Sequence, residues 1–529
     1  MIFQLRLLFL ILPCLLTAHT GYLRAATDPS ALETLVIQEG GRKMPFLVFA
    51  QEYLRSISGR TSLMLDGRKQ SALDIMTAVW MDPDAGWEGK ELILVSNRPL
   101  RQKNGLDAGR KLFSPAELLS NPTLTEEITK ASEMRRRDPK ARLGGLMKEA
   151  SDVGSRIGLL GALRQGTEYK IMPTGGNQWA APEAGSGDLE ALRAAWKAGD
   201  QAGFDSAVRN LQALQSSSAS MPSFWKIRLE VLYQKVHPFR WAWILYAAAG
   251  IVLLVLRDGK ARTGYRLAWM LVAGGFLLQA AGLASRVLIA GRPPVTNMYE
   301  SVIWVAFGTI LFALLFELRF RAATFLLGAI PVAVASLILA DSQPVILDTS
   351  IHPLTPVLRD NFWLTTHVLT ITLSYAAFAL ALGVAHVVLV QVIRGRTPSG
   401  ELYGYLYKTL QVGVLLLAIG TILGGVWANY SWGRFWDWDP KETWALTALL
   451  GYLFLLHGRI SGMWGGFGLA IGSVLAFQSV LMAWYGVNFV LGAGLHSYGF
   501  GSGGFPLVAA FVACELLFTG AALLARRRP

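Results

Sequence analysis

Cysteine is nearly absent from this chain of 529 residues, which contains only Cys14 and Cys514. Each lies in an apolar run, and no Cys-x-x-Cys motif occurs. A redox-active dithiol and a metal site held by thiolates both need closely spaced cysteines. The sequence therefore excludes a thioredoxin-type dithiol and a thiolate metal cage. We expect both cysteines to pack as small apolar side chains.

Charged residues are also few. They make up 16% of the chain, whereas hydrophobic residues make up 53%. This balance is typical of a polytopic membrane protein and excludes an ordinary soluble enzyme. The net charge of +13 would suit nucleic-acid binding, but Lys and Arg in the cytoplasmic loops of a membrane protein produce the same excess. No basic run is interleaved with aromatic residues, so we expect no nucleic-acid partner.

Hydrophobic patterning divides the chain into three parts. Residues 1–26 contain a short apolar run and are predicted to be a signal peptide or an uncleaved signal anchor. Residues 27–235 have frequent charges and predict a soluble α+β domain ending in a linker. Residues 236–529 predict an all-α membrane domain. Its nine candidate helices are 241–256, 265–290, 300–318, 323–340, 363–393, 406–428, 441–457, 463–490 and 505–525.

The distribution of Lys and Arg predicts the orientation. One set of loops holds thirteen of them: Arg257, Lys260, Arg262, Arg266, Arg319, Arg321, Arg394, Arg396, Lys408, Arg459 and Arg526–Arg528. The opposite set holds four: Arg292, Arg359, Arg434 and Lys441. The positive-inside rule assigns the first set to the cytoplasm. The fold class is therefore an all-α polytopic protein of the inner (cytoplasmic) membrane, with an N-terminal soluble α+β domain on the outer, periplasmic side.

Residues 427–444 contain five tryptophans and are predicted to form a loop on the outer face. An interfacial aromatic belt explains scattered tryptophans, but not Trp432, Trp436 and Trp438 beside three carboxylates. Tryptophan faces stack on flat conjugated rings, so the loop predicts a platform for such a ligand. The carboxylates can also be interpreted as helix-capping groups that do not face a ligand, because Asp439, Pro440 and Glu442 match the start of a helix.

Histidines on either side of this loop suggest what the platform holds. His367 lies near the outer end of one predicted helix, and His496 lies in a glycine-rich outer loop. Two imidazoles on opposite faces of a metal macrocycle would make a bis-His haem site. His386 and His457 lie near the cytoplasmic ends of their helices, where a pair at matched depth would instead suit a membrane cytochrome b. Both interpretations remain open at this stage.

Longer motifs resemble the tryptophan-rich "WWD" cytochrome c assembly family, which handles haem. The resemblance covers residues 240–525 and points to the CcsA/ResC-type subunit of system II cytochrome c synthetase. The matching segments are Gly291-Arg-Pro-Pro-Val-Thr-Asn-Met-Tyr-Glu-Ser301, Trp363-Leu-Thr-Thr-His367, Trp432-Gly-Arg-Phe-Trp-Asp-Trp-Asp-Pro-Lys-Glu-Thr-Trp-Ala-Leu446, Leu456-His-Gly-Arg459 and Gly494-Leu-His-Ser-Tyr498. Residues 41–59 are similar to the extracytoplasmic segment of fused CcsBA synthetases, although the several-helix partner half is missing.

The resemblance implies a haem-lyase function. Haem b would be received at His457, held outside between His367 and His496, and attached to the Cys-x-x-Cys-His motif of apocytochrome c. It also implies a CcsB/ResB-type membrane subunit, or else His386, to complete the inner site, and thiol-reducing proteins as further partners. The implied platform consists of Trp432, Gly433, Trp436, Asp437, Trp438, Asp439, Pro440 and Glu442, with no catalytic side chain beyond haem positioning. A haem exporter or chaperone and a diheme electron-transfer protein remain as alternatives.

Overall fold

The computed structural model describes residues 27–138, 143–183, 185–256, 261–342, 347–354, 356–492, 496 and 504–527. The predicted signal segment, 1–26, lies outside these residues. The chain forms two compact units, one ending at Gln234 and the other beginning at Lys235. The sequence placed the domain boundary between residues 235 and 236. The two units are described separately.

The first unit combines helices with short antiparallel strand pairs, as the α+β prediction required. Its helices are α1 (Phe46–Ser58), α2 (Ala72–Met81), α3 (Arg98–Lys103), α4 (Pro115–Leu119), α5 (Pro122–Arg137), α6 (Gly145–Gln165), α7 (Gly187–Ala198), α8 (Gln201–Ser216) and most of α9 (Phe224–Val236), whose last two residues belong to the second unit. Its paired strands are β1 (Val36–Glu39) with β2 (Arg42–Pro45), β3 (Ser62–Leu65) with β4 (Arg68–Ser71), β5 (Ile93–Leu94) with β6 (Leu112–Phe113), and β7 (Met172–Pro173) with β8 (Trp179–Ala180).

Local sequence explains the two longer hairpins. The turn between β1 and β2 is Gly40-Gly41, and the turn between β3 and β4 is Asp66-Gly67, all with positive φ. Such two-residue turns match the right-handed twist of paired strands and favour glycine and aspartate. The helices pack their apolar faces on a core in which the rings of Trp80 and Tyr169 stack at 4.6 Å. This unit therefore has a hydrophobic core of its own.

The second unit is helical. Among the described residues, nine helices are long and apolar enough to cross a membrane, which confirms the predicted number. In the second unit they are α10 (Pro238–Val255), α11 (Ala261–Ala290), α12 (Met298–Phe320), α13 (Thr324–Ser342), α14 (Asn361–Ile393), α15 (Gly400–Trp432), α16 (Pro440–Ile460), α17 (Gly466–Leu491) and α18 (Phe505–Arg526). The chain is a multi-pass membrane protein.

Helix α14 is the central helix of the bundle and packs against α12, α13, α15, α17 and α18. Small residues allow close approach, as in many membrane helix pairs. A Cβ at Gly383 of α14 would collide with the backbone of Gly328 in α13. Deeper in the bundle, Phe378 of α14 stacks on Tyr452 of α16, with ring centroids 3.7 Å apart and planes 2° from parallel. The middle of the bundle is therefore filled by aromatic packing.

The tryptophan-rich segment differs from the predicted 427–444 loop. Helix α15 continues to Trp432 and ends when Gly433 adopts the left-handed conformation, with φ of +72°. Helix α16 begins at Pro440. The connection, called the tryptophan loop below, therefore comprises only residues 433–439. The helix extends further than predicted because tryptophan is compatible with a helix at a membrane interface, whereas glycine readily supplies a left-handed C-terminal cap.

Candidate functional site

A cavity opens beside the tryptophan loop. Its walls come from α12, α14, α15, α16 and α17, with His496 completing them. The lining includes His367, Trp432, Trp436, Lys441, Trp484 and His496. The structure thus brings both predicted outer histidines and two of the three predicted platform tryptophans to one place. The cavity volume is about 160 Å³, below the 300–1,000 Å³ typical of ligand pockets.

His367 is held by a local change in helix winding. Residues Leu364–Val368 form a π-helical turn in α14, a feature that often marks functional sites. The ring nitrogen Nδ1 of His367 lies 2.8 Å from the carbonyl oxygen of Gly420 in α15. Since a carbonyl oxygen only accepts, Nδ1 carries the proton and Nε2 has the lone pair. The indole of Trp427 lies beside this imidazole, with ring centroids 5.7 Å apart.

His496 has a different partner. Its Nδ1 lies 2.9 Å from the Oδ1 atom of Asp439, a residue that is 6% exposed. A carboxylate facing Nδ1 fixes the same tautomer as at His367 and makes the imidazole a stronger donor ligand through Nε2. The ring of Trp432 meets His496 edge-on, with centroids 5.3 Å apart. The two histidines therefore present the same nitrogen atom, although their supports differ.

Asp439 also starts α16. It forms a capping box with Glu442, and Pro440 occupies the first helical turn, which confirms the sequence interpretation of this triplet. The Oδ1 atom of Asp439 accepts a hydrogen bond from the backbone of Lys441 at 2.9 Å. The Oε2 atom of Glu442 accepts one from the backbone of Asp437 at 3.0 Å. The carboxylates at 439 and 442 therefore stabilise the loop and the helix start.

The remaining predicted platform residues have unequal positions. Trp438 is 69% exposed, has a φ of +55°, and does not line the cavity. It contacts Trp436 edge-on, with ring centroids 5.9 Å apart. Asp437 does not line the cavity either, and its carboxylate lies 3.3 Å from Arg434. Positive φ is rare for a bulky residue and costs conformational energy, which identifies Trp438 as a strained, exposed side chain.

Neither of the other two membrane histidines lies in this cavity. His457 is near the opposite end of α16, about 27 Å along the helix from Asp439. Its side chain is exposed, and its Nδ1 lies 2.7 Å from the carbonyl oxygen of Leu453. His386 uses both ring nitrogens: Nδ1 lies 2.8 Å from the Leu382 carbonyl oxygen, and Nε2 lies 3.1 Å from Glu515.

Several residues that shape the cavity were not singled out in the sequence. Trp484 and Asn488 lie one turn apart in a π-helical stretch of α17, where a polar residue in an apolar span is the available signal. Gly420 and Gly424 lie one turn apart on α15. A Cβ at Gly424 would lie 2.6 Å from the ring carbon Cε1 of His367. Their four-residue spacing is typical of close helix contacts and is the only sequence signal for them.

A buried ion pair fixes one rim of the cavity. Arg286 of α11 and Glu300 of α12 are each 1% exposed and 2.8 Å apart. Glu300 also accepts hydrogen bonds from the backbone and hydroxyl of Thr296, a cavity residue, at 2.9 and 2.7 Å. A buried, fully hydrogen-bonded pair restricts the groups around it. This pair therefore holds residues 295–297 in position.

Another ion pair lies in the loop before α14. The Nε2 atom of His352 lies 2.7 Å from Asp348. Partial burial raises the pKa of the Asp348 carboxyl, but hydrogen bonds from His352 and Ser350 outweigh that effect and hold the pKa at about 2. Asp348 therefore remains ionised near neutral pH. His352 does not line the cavity, so it serves below as a comparison histidine.

Comparisons with known proteins identify a family. Residues 295–496 match the model of the family described as "Cytochrome C assembly protein". The matched range contains every residue that lines the cavity. Arg286, which does not line the cavity, lies outside the matched range.

Individual relatives extend the similarity. The cytochrome c biogenesis protein CcsA of Synechococcus sp. (strain CC9605) is 34% identical, and the match covers 47% of this chain and 94% of that protein. The CcsA of Synechococcus sp. (strain RCC307) is 36% identical, with 48% and 93% covered. Protein NrfI of Wolinella succinogenes is 31% identical over 88% of this chain. The match spans about half, 54%, of the length of NrfI.

Proposed function

We propose that this chain binds haem b between His367 and His496 and presents it for attachment to apocytochrome c. The chain belongs to the cytochrome c assembly protein family and takes part in cytochrome c biogenesis. Cytochrome c biogenesis joins haem to a polypeptide, so haem is the substrate that the cavity would have to hold. This chain would hold the haem while it is attached to the polypeptide.

One observation carries the proposal. His367 and His496 both border the same cavity, and both have Nδ1 committed to an acceptor, which leaves Nε2 as the lone-pair nitrogen. Metal-bound histidines commonly donate their second nitrogen to a carbonyl or carboxylate in this way. Aromatic walls from Trp432 and Trp436 suit the faces of a porphyrin. The donor set and the walls therefore fit haem.

The chain's part in attachment is positioning. The two imidazoles hold the iron, the tryptophans exclude water from part of the ring, and the exposed side remains accessible to the polypeptide. Thioether formation adds each substrate thiol across a haem vinyl group: a carbon–sulfur bond forms, and the thiol hydrogen passes to the neighbouring vinyl carbon. The addition is redox-neutral and needs no cysteine from this chain. Correct placement of two reactants can lower the activation free energy by several kcal/mol.

His457 is proposed as the point where haem is received. Its exposed position at the far end of α16 supports a site shared with another protein, for which a CcsB/ResB-type subunit is the candidate. His386 is a poorer candidate for that partner role, because the Leu382 carbonyl and Glu515 engage both of its ring nitrogens. In this proposal haem moves outward across the inner membrane, and thiol-reducing proteins keep the apocytochrome cysteines reduced on the periplasmic side.

The test uses His367→Ala, His496→Ala and His352→Ala in the full chain, coexpressed with a reporter apocytochrome and the partner subunit. We expect the first two variants to lose the bis-His absorption spectrum of the purified protein and to stop holocytochrome formation. His352→Ala is the matched control, since this histidine does not line the cavity, and it should retain both properties.

Normal haem content and normal attachment in both single variants at 367 and 496 would refute the site. Retained haem with no attachment by the wild-type protein, even with the partner present, would favour a haem chaperone over a lyase. For the inner site, His457→Ala should lower the haem content measured with the partner subunit bound. An unchanged content would reject its role.

A further inference from the structure

Lys441 is the one lysine or arginine that borders the cavity within the part of the chain that the structure describes. It lies in the first turn of α16, on the same cavity wall as Glu442 and Ala445. The other charged or ionisable residues in the lining are His367, His496, Glu442 and Tyr375. Lys441 thus shares the cavity lining with the two histidines.

This is an unfavourable place for a cation. The cavity walls are mainly apolar and aromatic, and moving an ammonium group away from water costs free energy unless it is paired. The first turn of a helix also carries partial positive charge, which favours anions and disfavours lysine. A lysine in this position therefore needs a compensating negative charge.

The nearby carboxylates are already used. Asp439 accepts hydrogen bonds from the Lys441 backbone and from His496. Glu442 accepts from the backbone of Asp437 and faces Arg434. The negative charge of Asp439 acts on the Lys441 side chain, but the salt bridges among the described residues include none to the Lys441 ammonium. The protein therefore leaves this cation available to a ligand.

We propose that the ammonium group of Lys441 binds a carboxylate of the ligand, namely a propionate of haem. This inference rests on the function proposed above. Haem carries its two propionates on one edge and its vinyl groups on the other two pyrroles. Holding the propionate edge against α16 turns the vinyl edge away from Lys441. Lys441 would then set the rotational orientation of the ring, which axial ligation by two histidines leaves undefined.

The experiment compares haem with haem dimethyl ester, in which both propionates are esterified. Purified wild-type protein, Lys441→Met and Lys441→Arg are titrated with each compound, and the Soret absorption gives the affinity. Hydrogen bonds to charged groups are among the stronger ones, so we expect wild type to prefer haem by about tenfold or more. Lys441→Met should lose this preference while binding the ester as well as wild type does, and Lys441→Arg should largely retain it.

Arg434→Met is the matched control, because Arg434 is a cation of the adjoining tryptophan loop that does not line the cavity. It should keep the wild-type preference. An equal preference in wild type and Lys441→Met would overturn the inference and leave the haem site standing, and so would wild type binding both compounds equally. Wild type that binds neither compound would overturn both proposals. Unchanged ester affinity in Lys441→Met shows that the variant is folded.

Discussion

Replacing Gly424 with alanine would place one methyl group against the imidazole of His367. The added Cβ would lie 2.6 Å from Cε1 and 3.1 Å from Nδ1 of that ring, whereas ordinary contact begins near 3.4 Å. The ring must therefore retreat by about 0.8 Å. Its Nδ1 now lies 2.8 Å from the oxygen of Gly420, one turn from Gly424 on the same helix. A retreat directly away from that oxygen would lengthen this separation to about 3.6 Å, beyond a hydrogen bond.

The effects on stability and on ligand binding should differ in size. Losing one hydrogen bond lowers the free energy of unfolding by about 0.5–1.5 kcal/mol. Replacing a helical glycine with alanine raises it by up to about 1 kcal/mol. The free energy of unfolding should therefore change little. A displacement of about 1 Å can lower the efficiency of a positioned group by about a hundredfold. We expect haem affinity to fall by about ten- to a hundredfold, with loss of the bis-His spectrum.

Purified Gly424→Ala would be titrated with haem, and its absorption and electron paramagnetic resonance spectra would report the axial ligands. Thermal unfolding in detergent measures the stability separately. Gly404→Ala is the matched control, since Gly404 lies in the same helix and its added Cβ would meet no atom within 4 Å. A Gly424→Ala protein with wild-type affinity and a bis-His spectrum would refute the assigned position of His367.

Two further substitutions test the supports of the site and of the bundle. Asp439→Asn should keep the helix cap but weaken the hydrogen bond to His496, so the reduction potential of the haem should rise by about 60 mV for each tenfold loss of ferric affinity. A potentiometric titration measures this potential, and Asp437→Asn, at an exposed position, should leave it unchanged. An equal shift in both variants would contradict the role of Asp439. Gly383→Ala should lower the thermal midpoint of unfolding, at a cost of about 1–3 kcal/mol, because its Cβ meets the backbone of α13. Gly451→Ala should leave the thermal midpoint unchanged, because an added Cβ there meets no atom within 4 Å. Equal midpoints in the two variants would show that the contact between α13 and α14 at Gly383 does not limit stability.

Sequence patterns predicted the features that depend on residue type. Runs of apolar residues gave nine spans, and the structure confirms this number. Asp439, Pro440 and Glu442 predicted the start of α16 correctly because capping chemistry is local. His367 and His496 could be proposed as a pair because imidazole is chemically distinctive, and they do border one cavity. Each of these predictions uses information contained in a few neighbouring residues.

The predictions that needed tertiary information were less complete. Nothing in residues 364–368 alone requires a π-helical turn, which appears where α14 packs against α15. The tryptophans at 432, 436 and 438 were treated alike, yet Trp438 is exposed, whereas Trp432 at the end of α15 and Trp436 in the loop border the cavity. The difference follows from the backbone: Trp438 adopts a positive φ just before the cap of α16. Sequence composition does not specify such a conformation for tryptophan.

The first turn of α16 joins the stability of the fold to the geometry of the site. Asp439 caps the helix and also orients His496, so removing its side chain would disturb both at once. Lys441, two residues later, borders the cavity while its backbone bonds to the same carboxylate. A change in haem binding after a drastic substitution here would therefore have two explanations. Substitutions that keep the cap can assign an effect to the ligand rather than to the helix. Asparagine at 439 is one, and so are methionine and arginine at 441, where only the backbone joins the cap.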